Sequence, residues 1–140
     1  MAKSVLVDTG VLLAVIARRD RYHDWAVSQS KRWSPPWLTC ESVLSEAFFL
    51  AGPRGSGALS AFLERRLVEI RFDLAGEIDP VLTLMKKDGD VPMSLADACL
   101  VRMTEIVADP LLLTTDTDFR LYRRHSRQVV PCMMPRVIRR

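Results

Sequence analysis

The chain has 140 residues and a mass of 15.9 kDa, the size of one ordinary domain with little room for a second. With 49% hydrophobic and 26% charged residues it can bury a core, which excludes a disordered chain. The net charge is only +3, yet from residue 119 onward there are seven arginines and no acid, leaving 13 basic and 17 acidic groups, a net of −4, in the first 118 residues. Three cysteines, Cys40, Cys99 and Cys132, stand at no metal-ligand spacing, so neither a disulfide scaffold nor a zinc knuckle is expected and a reducing compartment fits.

In chain order, Ser4-Val5-Leu6-Val7 is short, apolar and unalternating, as a strand buried on both faces is. Residues 10–17 read as a helix entered through a turn, and 25–31 as a second, shorter one. The apolar stretch 5–17 is not expected to be a secretory leader. It contains Asp8, and Arg18-Arg19-Asp20-Arg21 follows with no small-residue cleavage pattern. No other apolar run approaches the ~20 residues of a membrane span, so a soluble, cytoplasmic chain is expected. Trp37-Leu38-Thr39-Cys40 is a second strand, preceded by the Trp33-Ser34-Pro35-Pro36-Trp37 segment, which reads as a packed turn or, alternatively, as a segment shaping the approach to a pocket. A helix over 42–50 should bury Val43, Leu44, Ala47, Phe48 and Leu50. Gly52-Pro53-Arg54-Gly55 interrupts it before another helix over 58–67. Residues 68–72 alternate, as an edge strand does. Asp88-Gly89-Asp90 marks a turn between helices over 78–87 and 95–107, and the solid apolar run 111–115 is a central strand. A short helix over 119–124 and a strand over 129–132 close the chain. This strand–helix alternation predicts one α/β domain with a mostly parallel sheet, whose ligands bind outside the carboxyl ends of the strands.

Four acids share one property: each sits among residues that pull it toward the core. Asp8 follows the first strand, Asp116 follows the strand at 111–115, Asp97 opens a helix, and Glu46 lies among Val43, Leu44, Ala47, Phe48 and Phe49. Each has a plain structural reading. Asp8 can cap the next helix through the N–H of Val11 or Leu12, Asp116 can cap another, and Ser94-x-x-Asp97 and Thr115-x-x-Asp118 resemble capping boxes. Glu46 is the hardest to explain so, because a carboxylate on an apolar helical face needs a partner. Gathered together, two carboxylates ~5 Å apart repel by roughly 3 kcal/mol at an effective dielectric near 20. A hard divalent cation, Mg²⁺ or Mn²⁺, relieves that repulsion, and the set has no thiol or imidazole to favour zinc. His23 and His125 lie beside none of these acids and read as solvated surface residues. Such an ion suits phosphodiester hydrolysis, and Arg120, Arg123, Arg124 and Arg127, at 3–4-residue steps, read as one helical stripe holding a polyanion.

The four motifs Val5-Leu6-Val7-Asp8-Thr9-Gly10, Ser42-Val43-Leu44-Ser45-Glu46, Leu95-Ala96-Asp97-Ala98 and Leu113-Thr114-Thr115-Asp116-Thr117-Asp118-Phe119, in this order over nearly the whole chain, resemble the PIN-domain family, in particular the VapC-like toxins of toxin–antitoxin pairs. The resemblance implies a three-layer α/β/α sandwich with a central, mostly parallel sheet of four to five strands. It also implies a metal-dependent endoribonuclease, a homodimer, and a cognate antitoxin. Carried over, Asp8, Glu46, Asp97 and Asp116 match the acidic quartet that holds Mg²⁺ or Mn²⁺, and Asp118 an additional acid. Thr9 and Thr115 match hydroxyls beside the acids, and Ser42, four residues before Glu46, is placed to act in the same way.

The rival enzyme readings fit poorly. A haloacid-dehalogenase-like enzyme wants an Asp two residues after its nucleophile, where Gly10 stands, and a receiver domain wants a lysine ending its last strand, which is absent even though Asp73 mimics the acceptor. The non-enzymatic alternative is a catalytically silent PIN-like module that binds nucleic acid or protein. Tyr22 and Trp25, read as exposed, point to the first two helices as a dimer surface.

Overall fold

The strand β1 (Ser4–Val7) takes the middle of the sheet because its side chains have no polar face to offer water: Leu6 and Val7 are fully buried. A computed structural model describes residues 2–87 and 91–136. The turn at 88–90 and the last arginines, Arg139 and Arg140, lie outside the described residues. After β1 come α1 (Thr9–Ile16), α2 (His23–Arg32), β2 (Trp37–Thr39), α3 (Glu41–Glu64), β3 (Val68–Ile70), α4 (Ile78–Lys87), α5 (Leu95–Ile106) and β4 (Pro110–Leu113). A 3₁₀ turn (Thr117–Arg120) leads to the short strands β5 (Arg123–Arg124), β6 (Gln128–Val129) and β7 (Cys132–Met133).

Five strands form one sheet in the order β3-β2-β1-β4-β7, every neighbouring pair parallel. Helix α1 packs on α2 and α3, and α4 on α5, so helices cover both faces in the expected three-layer α/β/α arrangement. Strand β1 pairs with β2 on one side and with β4 on the other, Val7 opposite Leu113. The chain therefore reverses its direction of travel across the sheet between β1 and β4, and the carboxyl ends of these two strands face a common crevice. Asp73 is exposed after the edge strand β3, two strands away from that junction.

Several expectations need correction. The two helices predicted over 42–50 and 58–67 are both present, but they meet at a kink within α3 with no loop between them. Gly52, at φ 66° and ψ −172°, breaks the helical path, and Pro53 restarts it with no N–H to leave unpaired. Leu50, expected to be buried, is 55% exposed, and the neighbouring Phe49 is 84% exposed. The 119–124 helix does not form beyond the 3₁₀ turn. Arg123–Arg124 instead pairs antiparallel with Gln128–Val129, and His125 and Ser126 take positive φ in the loop between them. The expected strand over 129–132 is likewise divided, Gln128–Val129 serving this hairpin and Cys132–Met133 joining the main sheet beside β4. His23 is half-buried rather than solvated, its Nδ1 2.7 Å from the Ala14 carbonyl. Tyr22 and Trp25 are also partly buried against the core, which removes the basis for placing a dimer surface there. The Trp33–Trp37 segment is a packed turn, as expected: the Trp33 indole donates to Gln29 Oε1 at 3.1 Å and the Trp37 indole to the Trp33 carbonyl at 3.1 Å.

Candidate functional site

Asp8 stands where β1 ends, and its position is set by the sheet, since its own N–H donates to the Leu113 carbonyl of β4 at 3.1 Å. Its carboxylate is 9% exposed and accepts two hydrogen bonds, from the Thr9 N–H at 2.7 Å and from the Thr114 hydroxyl at 2.8 Å. The N–H groups of Val11 and Leu12, expected to bond the side chain, go to the Asp8 backbone carbonyl. Thr114 in turn accepts from the Asp116 N–H at 3.0 Å, so one hydroxyl ties together the acids that follow β1 and β4. Burial pushes the Asp8 carboxyl up to about 6 from 3.8; the Thr114 and Thr9 hydrogen bonds oppose this, and the charges of Asp97 and Asp116 add to it.

Asp97 enters from α5. Ser94 caps that helix by accepting the Asp97 N–H at 3.1 Å, which points the Asp97 side chain away from the helix start and toward Tyr122. The Tyr122 hydroxyl lies 3.0 Å from Asp97 Oδ2 and 3.2 Å from the Pro92 carbonyl. The Tyr122 ring is 1% exposed and meets Phe119 edge to face. Burial raises the Asp97 carboxyl above its ordinary range; the Tyr122 hydroxyl pulls it down, and the charges of Asp116 and Asp118 push it up. Tyr122 is itself held above its ordinary value, by burial and then by the Asp97 charge, so it remains a proton donor.

Glu46 approaches from α3. It is exposed, contrary to the expectation that apolar neighbours would bury it, and its one hydrogen bond is from the Thr9 hydroxyl at 3.4 Å, which also lies 3.3 Å from the Val43 carbonyl. Asp116 caps the 3₁₀ turn by accepting the Asp118 N–H at 2.9 Å, in line with its reading as a cap, and Thr115 does not take that place. Thr115 stays at the rim of the site, where only a glycine can face it. A Cβ on Gly10 would lie 2.5 Å from Thr115 Oγ1.

Asp8, Glu46, Asp97 and Asp116 thus line one recess of about 330 Å³ at the β1–β4 junction, together with Thr9 and Thr115 and with no cationic side chain in its wall. Asp118 is close enough to act on the Asp97 charge but is not part of that wall. Ser42, half-buried at the start of α3, makes no hydrogen bond to Glu46; its hydroxyl instead favours the thiolate of the buried Cys99. Sequence reasoning missed Thr114, read only as the end of an apolar strand, and Tyr122, read as part of a helix. The Leu-Thr-Thr-Asp run gave a signal for the first, because a hydroxyl that ends a central strand needs a partner. The donor set, carboxylates with hydroxyl neighbours and neither thiol nor imidazole, fits a hard divalent cation. Among the described residues no three acids stand close enough to grip one ion together as the side chains are placed. Exposed Glu46, held by a single long hydrogen bond, is the acid with the most freedom to close that gap.

The arginine stripe is not one surface. Arg124 donates to the Thr104 carbonyl near the end of α5, and Arg123 donates to the carbonyls of Arg120, Leu121 and Tyr122. Both are tied to the backbone because the hairpin replaces the helix. Arg120, Arg123 and Arg127 are exposed, and Arg124 is half-buried.

A family model described as PIN domain matches residues 5–124. Among solved structures, the crystal structure of VapC20 from Mycobacterium tuberculosis, described as a Sarcin-Ricin loop cleaving toxin, superposes with a TM-score of 0.70 at 22% identity. The match covers 82% of this chain and 92% of that one. No curated protein matches the sequence.

Proposed function

The chain belongs to the PIN-domain family, and on that premise we propose that it is an endoribonuclease of the VapC-like toxin type, dependent on Mg²⁺ or Mn²⁺. The observation that carries this reading is the meeting of Asp8, Glu46, Asp97 and Asp116, from four separate segments, in one recess without a counter-cation. Such a recess attracts a divalent cation and repels a polyanion until the cation is present. Asp8, Asp97 and Asp116 would hold the ion, with Glu46 as the fourth ligand. When bound, the ion lowers the pKa of coordinated water and polarises a phosphoryl oxygen. The chain's own residues set up that chemistry. Thr114 and Thr9 fix the Asp8 carboxylate, Tyr122 fixes Asp97, and Thr9 steadies Glu46. A free oxygen of Asp118, exposed outside the wall, or of Glu46 would accept a proton from the attacking water.

The substrate is RNA, on the strength of the family and of a structural neighbour described as cleaving the Sarcin-Ricin loop. Exposed Arg120 and Arg127 then supply backbone contacts, while Arg123 and Arg124 brace the hairpin. A homodimer, a cognate antitoxin and a cytoplasmic location belong to the same reading; no described helix is long and apolar enough to cross a membrane. The test is incubation of purified protein with structured RNAs, with and without Mg²⁺, followed by mapping of the ends. Discrete cuts that require the ion are expected. No cleavage of any RNA at millimolar Mg²⁺ or Mn²⁺, with intact fold, would favour the silent binding module instead.

A further inference from the structure

A second recess, of about 410 Å³, opens between the end of α1 and the kink of α3. It shares Leu13 and Leu50 with the acid recess, so the two recesses adjoin across these side chains. Its floor is apolar, with Ile16 and Ala51, and Arg54 stands at its far end. Arg54 is exposed and makes no ion pair among the described residues. Asp20 also lines the recess, but its carboxylate accepts the Tyr22 N–H at 2.8 Å and does not pair with Arg54. One turn beyond Glu46, at i+3 and i+4 and hence on the same side of α3, come Phe49 and Leu50, 84% and 55% exposed. A phenylalanine left almost wholly in water beside a charged recess is an unsatisfied surface.

We propose that these two recesses, with the exposed Phe49 that precedes Leu50 and lines neither of them, form a nucleotide subsite for single-stranded RNA, in which a base next to the cleaved phosphate lies over Leu50 and is covered by Phe49 and the following phosphate meets Arg54. The inference rests on the ribonuclease reading and adds to it the residues that hold the substrate strand. The order of chemistry along the two recesses matches that of an RNA strand: acids for the reacting phosphate, an apolar floor for a base, a cation for the next phosphate. Unpaired bases are recognised by stacking on aromatic side chains, and every base has a face to offer, so Phe49 sets affinity rather than sequence. A lone cation at the end of an apolar trough suits one phosphate.

The experiment uses the full chain with Mg²⁺ and a single-stranded oligonucleotide spanning a cut mapped for the wild type. The variants are Phe49→Ala, Phe49→Trp and Arg54→Ala. Stacking is lost in Phe49→Ala, so KM should rise about tenfold with kcat held within about twofold, and Phe49→Trp should keep the wild-type KM. Arg54→Ala should weaken binding and lower the slope of log affinity against log salt by about 0.7, one phosphate contact. A 2-aminopurine placed beside the cut should be quenched on binding to the wild type and not to Phe49→Ala. If the wild type cleaves while all three variants match it, the subsite is wrong and the ribonuclease stands. If Phe49→Ala changes the sedimenting species with KM unaltered, the patch is a protein contact and the subsite is again wrong. If the wild type cleaves no RNA, both readings fall together.

Discussion

Replacing Asp8 by Asn should make the ion-free protein more stable at neutral pH while removing its activity. The Asp8 carboxyl is raised from 3.8 to about 6, chiefly because it is buried. A raised value means that the folded state favours the protonated acid. That contribution is fully present below about pH 4 and is lost as pH rises through about 6. At pH 7.5 the ionised carboxylate therefore costs about 3 kcal/mol, at roughly 1.4 kcal/mol per pH unit. Asn carries no charge and the same shape. It has one acceptor oxygen where Asp8 uses two, for the Thr9 N–H and the Thr114 hydroxyl, so one of these contacts is lost, and this sets back about 1 kcal/mol. The net gain of about 2 kcal/mol corresponds to a rise in Tm of about 6 °C for a chain of this size. Calorimetry in EDTA at pH 7.5 and pH 4 reads it directly: the variant should melt higher at 7.5 and at or slightly below the wild type at 4. An Asp8→Asn protein no more stable than wild type at pH 7.5, or one whose advantage persists unchanged at pH 4, would refute the reasoning.

Asp97→Asn should lower Mg²⁺-dependent RNA cleavage at least ~100-fold with an unchanged circular dichroism spectrum, because it removes a ligand charge and leaves the partly buried shape. Near-native activity would remove Asp97 from the site. Tyr122→Phe keeps the edge-to-face packing on Phe119 and deletes the donor to Asp97. The Mg²⁺ concentration giving half-maximal rate should rise several-fold, for a stability loss of about 1 kcal/mol, both read by titration and thermal melting. Arg124→Ala should lower stability by about 1–2 kcal/mol through the lost Thr104 carbonyl bond, with little change in the salt dependence of RNA binding, whereas Arg120→Ala and Arg127→Ala should do the reverse. Denaturant melts and filter binding across a salt series separate the two classes.

The parts of this molecule legible from sequence were those where chemistry and local pattern agree. A short buried strand followed by Asp8 has one sensible place in a parallel sheet, and Asp116 repeats the arrangement after β4, so a meeting of the two acids at strand ends was legible, while the strand order that sets β1 beside β4 was not. Glu46 was placed on the correct helix for an incorrect reason. The residues around it are apolar on both sides of α3, so hydrophobic neighbours did not mark the inward face, and Phe49 and Leu50 turn out to point into solvent. Ser42 sits at helical spacing from Glu46, yet the only hydrogen bond of the Glu46 side chain among the described residues comes from Thr9. The arginines at 120, 123, 124 and 127 are spaced as on a helix, but over so few residues the spacing also suits a 3₁₀ turn followed by a hairpin. Bonds from the hairpin to the Thr104 carbonyl and the Glu105 carboxylate decide for the latter. Contacts of that kind join residues twenty apart and have no local signature. Thr114 and Tyr122 were missed for the same reason, each acting on an acid that lies far away in sequence.

Binding of Mn²⁺ tests the central claim most directly, that carboxylates from four separate segments act as one site. Isothermal calorimetry near pH 7.5, where Asp8 is mostly ionised, should show the wild type binding Mn²⁺ with a Kd in the millimolar range or tighter, and Asp97→Asn binding at least ~10-fold more weakly. Equal binding by the two proteins, or none by the wild type, would contradict it.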